Sequence, residues 1–251
     1  PWCCGNARCS TSFRRKGPSL VNSRIFSRDR ATRIAEADSV AVIGLGRFGR
    51  AIALELMATG TEVLGIDADE DIVQSLNGQL TQVVRADTTK EEVLRQLAVN
   101  EFDRVVVAIG SDVQSSILTT SILLRMQIPH LWTKAVSDAH GQILTQLGVQ
   151  HVIYPEHEMG RRVAHLVRGA ALDYIEVDDD YAIVKMGPNR VVEGKRLGDT
   201  DLRKHHGVTV MAVQRGTAEW CNADADTVIE PGDTILIAGP IKKAEAFGQL
   251  R

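Results

Sequence analysis

The 251-residue chain is short of cysteine, of long apolar runs and of the residue sets that carry catalysis, and each shortage removes a class of protein. Its four cysteines are Cys3, Cys4, Cys9 and Cys221. So sparse a set builds no disulfide framework, and Cys3-Cys4-x4-Cys9 has no His or fourth Cys at metal-site spacing, which points to a reducing compartment. No stretch approaches the roughly 18 apolar residues of a membrane helix, so a role at a membrane would run through a partner. There is no G-x-x-x-x-G-K-[ST], which argues against hydrolysis on a P-loop. Tyr181-x-x-x-Lys185 has the spacing of a dehydrogenase acid and base, but that pair needs a helix, and here it lies in an alternating run closed by Gly187-Pro188. His157, His165, His205 and His206 form no constellation and read as surface or helix-face residues, and Ser111 and Cys221 have no base beside them.

Charge is scarce in one sign over most of the chain. The formal net charge is −3, but residues 1–35 carry eight Lys or Arg against Asp29, a local +7 that leaves −10 for the remainder. An acidic body disfavours nucleic acid as a partner. Residues 1–37 are rich in Arg and Ser and lack periodicity; they read as a disordered basic tail outside the fold, or else as a targeting or membrane-surface arm.

What the chain does have begins at Ser39. The run Ser39-Val-Ala-Val-Ile-Gly-Leu-Gly-Arg-Phe-Gly-Arg50 passes from an apolar strand through Gly44, Gly46 and Gly49 into residues of helical period. Such a helix presents unpaired backbone N–H groups and the positive end of its dipole, and the missing Cβ atoms let a pyrophosphate approach the main chain. A second apolar run ends in Asp67, close to the roughly 20-residue offset of a ribose-binding acid, and a carboxylate there repels a 2′-phosphate.

From there the pattern alternates: strands over 40–43, 63–67, 82–85, 104–109, 130–135 and 151–154, helices over 47–58, 69–76, 89–98, 113–126 and 138–147. Alternation with short connections implies a doubly wound parallel sheet whose ligand lies beyond the carboxyl ends of its strands. Asp87, Gly110 and Lys134 sit at those ends. Asp87 either contacts a ligand or caps the next helix; Lys134 is either an anion partner or a solvated strand-end lysine. Residues 156–168 return to helical spacing as a connector. Beyond Asp173 short β-like runs at 174–177, 181–186, 208–213 and 234–237, with helices at 199–205 and 241–247, describe a small α+β domain. The division expected is 1–37 tail, 38–157 nucleotide-binding domain, 158–172 connector and 173–251 second domain.

Together, Ile43-Gly-Leu-Gly-Arg-Phe-Gly49, Asp67, Val107-Ala-Ile-Gly110, Gln114, Leu118-Thr-Thr120, Trp132-Thr-Lys134 and Tyr154-Pro-Glu-x-x-Met-Gly160 resemble the RCK (KTN/TrkA) regulatory subunits of bacterial potassium uptake systems, KtrA-like ones above all. The resemblance implies a Rossmann-like domain followed by a small RCK-C (TrkA-C) domain, in a cytosolic octameric ring of dimers that gates a membrane-embedded potassium transporter subunit. It implies ATP/ADP or NAD/NADH in the first domain, with Gly44, Gly46 and Gly49 on the phosphates, Asp67 on the ribose, Asp87 and Gly110 on the adenosine side, and Phe48, Ile109 and Lys134 completing the crevice. Arg47 would meet the terminal phosphate. Glu156 matches an acid that helps hold a divalent cation, Mg or Ca, near the dimer axis, the plain alternative being a cap on the connector helix. Cyclic di-AMP would sit against Arg203 in the second domain, although Gly198 and Ala223 depart from that pattern. The other reading of Gly44 to Gly49 with Asp67 is a small NAD-dependent oxidoreductase.

Overall fold

The strand β1 (Ser39–Ile43) is buried along its whole length, as expected of a central strand covered on both faces. A computed structural model describes residues 39–168 and 171–250, so the expected tail over 1–37 lies outside the described residues. After β1 come α1 (Arg47–Ala58), β2 (Glu62–Asp67), α2 (Glu70–Leu76), β3 (Gln82–Arg85), α3 (Glu91–Gln96) and a 3-10 turn (Val99–Glu101). Then follow β4 (Arg104–Val107), α4 (Val113–Arg125), β5 (His130–Lys134), α5 (Asp138–Leu147) and β6 (His151–Ile153). These strands make a six-stranded sheet in the order β3-β2-β1-β4-β5-β6, parallel at each pairing.

The two-residue period of the strands divides the core. Val40, Val42, Val63 and Val106 pack on one face with Ala53 of α1 and Leu76 of α2. Ala41, Ile43, Leu64, Ile66, Val105 and Val107 pack on the other with Leu94, Phe102, Ile122 and Leu123. Both faces are therefore covered by helices, and the strand order reverses between β1 and β4, the point beyond whose carboxyl ends a doubly wound sheet places its ligand crevice.

A helix, α6 (Pro155–Arg168), leads into a second, antiparallel sheet. Its strands are β7 (Ala171–Asp178), β8 (Tyr181–Met186), β9 (Thr209–Arg215), β10 (Cys221–Asn222) and β11 (Asp233–Pro240), in the order β10-β9-β11-β8-β7. A 3-10 turn (Leu197–Asp199) and α7 (Leu202–His205) lie between β8 and β9, and α8 (Ile241–Gly248) follows β11. Tyr174, Val184, Met186, Val210, Ile235, Ile237 and Phe247 make one core here. The fold class is thus the expected one: a Rossmann-like doubly wound sheet followed by a small α+β unit.

Local departures have local causes. The helix expected over 89–98 stops at Gln96, because Ala98 turns left-handed at φ 54° and starts the 3-10 turn. The helix expected over 199–205 is broken at Asp201, φ 47°, leaving only the four residues of α7. Strand β4 ends at Val107, two residues early, since after the bond from Ala108 N–H to Ile43 O (2.7 Å) its neighbour β1 has turned away at Gly44. The two-residue strand β10, paired with Val213 and Ala212, is too short to show a period and went unforeseen.

The terminal helix is tied in by Phe247, 1% exposed, whose carbonyl accepts from Asn189 Nδ2 at 2.7 Å. Phe247→Ala should lower the stability of the chain by about 3–5 kcal/mol. Chemical denaturation checks this; a loss below about 1 kcal/mol would place α8 outside the core.

Candidate ligand-binding crevice

Each of the three glycines has its own reason to be glycine. Gly44 follows β1 at φ +88°, its N–H donating to Ile66 O at 2.8 Å, and a Cβ would lie 2.8 Å from the Ile109 nitrogen. Gly49 is buried in α1, where a Cβ would meet Gly44 O at 1.8 Å. Gly46 is different: a Cβ would meet nothing within 4 Å. The first glycine makes the turn, the third lets the helix touch it, and the second leaves open main chain for an anion.

The neighbouring helix ends sharpen that contrast. Asp69, Asp112 and Ser137 cap α2, α4 and α5 with side-chain oxygens, whereas α1 starts at Gly46 with no side-chain cap. Orphan N–H groups and the positive dipole end thus face the crevice, with the exposed Arg47 as the first residue of the helix. These residues fit the phosphates of a nucleotide.

Asp67, half-buried, accepts from Leu45 N–H at 2.6 Å through Oδ2 and from Asp69 N–H at 2.9 Å through Oδ1. It therefore clamps the glycine turn to the end of β2, and each oxygen keeps lone-pair capacity for a ribose hydroxyl. Asp87 does not cap α3, whose N-cap is Lys90. Its carboxylate accepts from the Thr89 hydroxyl at 2.6 Å and backbone N–H at 3.1 Å and pairs with Lys90 at 3.3 Å. The Thr89 hydroxyl, then its N–H, holds the Asp87 carboxyl below its ordinary range. Ile109 packs half-buried on the inner core beside Gly44, and Gly110 is exposed on the rim.

Lys134 is not the solvated lysine that was one of the two expectations. It is 7% exposed; its Nζ donates to Glu156 Oε1 at 2.6 Å and lies 5.5 Å from the centroid of the Phe48 ring. The Lys134 ammonium, with a smaller contribution from Arg47, holds the Glu156 carboxyl below its usual range. Among the described residues no group of three or more His, Cys, Asp or Glu is placed to hold a metal, and Glu156 already faces a cation. One chain on its own thus does not fit a divalent cation at Glu156.

In the second sheet's half, Arg203, Leu197, Gly198 and Ala223 line one cavity of about 400 Å³, with the Arg203 Nε donating to Thr209 Oγ1 at 3.0 Å. A Cβ at Gly198 would meet Ala225 O at 3.0 Å, so the missing side chain there lets the cavity wall pack closely. Tyr181 and Lys185 lie on β8, and Lys185 Nζ is 5.5 Å from the Trp220 ring centroid, away from the crevice. His165 is more than a helix-face residue: it stacks on Tyr174 at 4.2 Å and shares a 2.6 Å hydrogen bond with Glu245. Sequence reasoning also missed Arg85, the register partner of Asp67, which is held by Glu70 at 2.8 Å at the same rim. A basic residue closing β3 was the available signal.

An open glycine turn at the switch point of a doubly wound sheet, clamped by an acid from the next strand, defines a protein of the dinucleotide-binding fold class. The TrkA-N domain profile matches residues 40–155 and the TrkA-C domain profile residues 181–250. The Ktr system potassium uptake protein C of Bacillus subtilis (strain 168) is 36% identical over 208 residues, 82% of this chain and 94% of that protein. The Ktr system potassium uptake protein A of Vibrio alginolyticus is 36% identical over 204 residues, 81% of this chain and 93% of that protein. The chain belongs to this TrkA-N/TrkA-C (RCK) family, alongside the Ktr potassium uptake proteins. The GsuK RCK domain shares the fold at TM-score 0.60 and 16% identity over 84% of this chain, which spans 48% of that one.

Two alanines separate fold from site. Gly49→Ala should cost about 1–3 kcal/mol or more, because backbone must move to admit the methyl. Gly46→Ala should leave stability within about 0.5 kcal/mol of the parent. Thermal unfolding of both variants checks the contrast, and equal losses would contradict it.

Proposed function

We propose that the chain is a nucleotide-sensing regulatory subunit of a potassium transport system, binding an adenine nucleotide at the Gly44–Gly49 turn and acting through a membrane-embedded partner. The observation that carries the nucleotide is Gly46, an open backbone at the uncapped start of α1 with Asp67 placed for a ribose. The potassium role is supported by the Ktr potassium uptake proteins, which this chain matches over more than nine-tenths of their length. No helix among the described residues is long and apolar enough to cross a membrane, in keeping with a separate pore-forming partner. The chain acts by binding, not catalysis: the one dehydrogenase-like pair sits on β8, away from the crevice.

The ligand is ATP or ADP, or NAD or NADH, since each brings adenosine and a phosphate chain to the same place. A fold neighbour, the GsuK channel, is described as bound to NAD, at TM-score 0.59 and 16% identity. Arg47 favours the triphosphate, because an exposed guanidinium beside the turn suits the added charge. The subunit works as a homo-oligomeric ring on the inner face of the membrane, and the cavity around Arg203 is its site for a cyclic dinucleotide. Two nucleotides regulate only if they stabilise two ring shapes unequally.

Calorimetric titration of the full chain with ATP, ADP and NADH tests the ligand. Arg47→Ala should weaken ATP by about tenfold more than ADP, one charge-assisted bond. An equal loss for both removes Arg47 from that role. Potassium flux through the reconstituted membrane subunit should differ between saturating ATP and saturating ADP, and equal flux would sink the regulatory reading.

A further inference from the structure

Arg85 closes β3 in register with Asp67, and the Ala86 N–H that follows donates to the Asp67 carbonyl at 2.9 Å, so both side chains belong to one rim of the crevice. By the two-residue period of the strand, Arg85 shares the face of Val83, which packs with Leu76 of α2. Its guanidinium is held in two directions: Nε donates to the Ala68 carbonyl at 3.2 Å and Nη1 to Glu70 Oε2 at 2.8 Å. Glu70 is steadied in turn, its Oε1 accepting from Gln74 Nε2 at 3.2 Å one helical turn on. Two bonds along different directions fix the plane of a rigid, planar cation. Yet the Arg85 and Glu70 side chains are 61% and 59% exposed, and a pair so open to water adds little stability against the entropy of ordering two long side chains.

That plane stands where the base of a nucleotide arrives. A doubly wound sheet takes one nucleotide half over each set of three strands, so a ribose at Asp67, which closes β2, leaves its base over the next strand outward, β3. Asp67, Asp69, Glu70 and Asp71 crowd the same rim, so Arg85 brings no net positive field with which to draw a phosphate. What it brings is a flat face. We propose that the Arg85 guanidinium is the platform on which the purine base of the bound nucleotide stacks, its edges spent on Ala68 and Glu70 and its face left for the ring. A guanidinium over an aromatic ring gains by cation–π attraction and by planar stacking. The inference rests on the proposed nucleotide site and deepens it: the glycine turn takes the phosphates, Asp67 the sugar and Arg85 the base.

The test is calorimetric titration of the full chain and its Arg85→Ala and Arg85→Lys variants with ATP. Arg85→Ala should bind ATP about tenfold more weakly, the worth of one stacked base. Arg85→Lys keeps the charge without the plane and should stay at least about threefold weaker than the parent. The ratio of parent to Arg85→Ala affinity should hold within about twofold between about 0.1 and about 0.5 M sodium chloride, because stacking is screened far less than an exposed ion pair. Ribose 5′-triphosphate, the same anion without a base, should displace ATP from the parent and from Arg85→Ala alike, within about twofold. Full recovery by Arg85→Lys, a ratio that collapses with salt, or an equal loss for ribose 5′-triphosphate assigns Arg85 to the phosphates and overturns the platform. Parent-like ATP binding by Arg85→Ala overturns it too. Should Arg85→Ala lose its fold, Arg85→Lys decides, parent-like ATP affinity being the result that overturns the platform. An absence of binding by any nucleotide to the parent overturns the nucleotide reading itself, and the platform with it, so the two failures are told apart.

Discussion

The contact on which the molecule turns is the one between Gly49 in α1 and the carbonyl of Gly44, so close that a single methyl would occupy the same space. It holds the start of α1 against the end of β1. Leu45, one residue further on, then falls where its N–H reaches the Asp67 carboxylate, and Ala108 and Ile109 at the end of β4 pack against the same turn. The ends of β1, β2 and β4 are locked together by hard contacts and by the hydrogen bonds from Gly44 N–H to Ile66 O, from Ala108 N–H to Ile43 O and from Leu45 N–H to Asp67. The unpaired N–H groups of α1 are therefore held in place by the fold, and an anion that met them would spend little binding free energy on ordering the turn.

Much of this was legible in the sequence, and the reasons are particular. The limits of α1, β3, α5 and β8 coincide with those expected, because each is a strongly periodic run bounded by glycine, proline or a turn residue. The tight turn at Gly44 and the close approach at Gly49 could be anticipated from spacing, since each is a local backbone demand. What escaped was tertiary or conformational. The left-handed turn at Ala98 is adopted by a residue with no bias toward it, and that at Asp201 by one whose mild bias is shared by many aspartates in ordinary conformations, so neither stands out in the sequence. Lys134 and Glu156 are 22 residues apart and meet only because β5 ends beside the start of α6. Sequence reasoning could propose a role for each but had no means of making them partners.

The helix α6 links the two halves through bonds of unequal character. At its start Glu156 holds Lys134 of the first sheet. Along its length Arg162 meets Asp173, Arg161 reaches Glu176 at 3.4 Å, and His165 joins Glu245 of α8. The Arg161 and Arg162 pairs are partly solvent-accessible, so each stabilises only modestly by itself. His165 is different: stacked on Tyr174 and bonded to Glu245, it joins α6 to the second core by packing as well as charge. The helix is thus joined to the second sheet by several side-chain contacts, and its first turn meets the first sheet through the buried ammonium of Lys134.

That asymmetry bears on how a protein could tell nucleotides apart. On the proposed reading, two nucleotides differing by a terminal phosphate would make the same contacts with the glycines and Asp67, and common contacts shift no equilibrium. Discrimination must come from a group that the extra charge alone reaches, and Arg47 and Lys134 are the cations beside the turn. Arg47 stands in solvent, where salt screens it over a Debye length of about 8 Å. Lys134 is shielded from water on most sides, so a charge that reached it would be screened less than one beside Arg47. An exposed arginine offers an attraction that salt weakens, and a buried lysine one that water screens less.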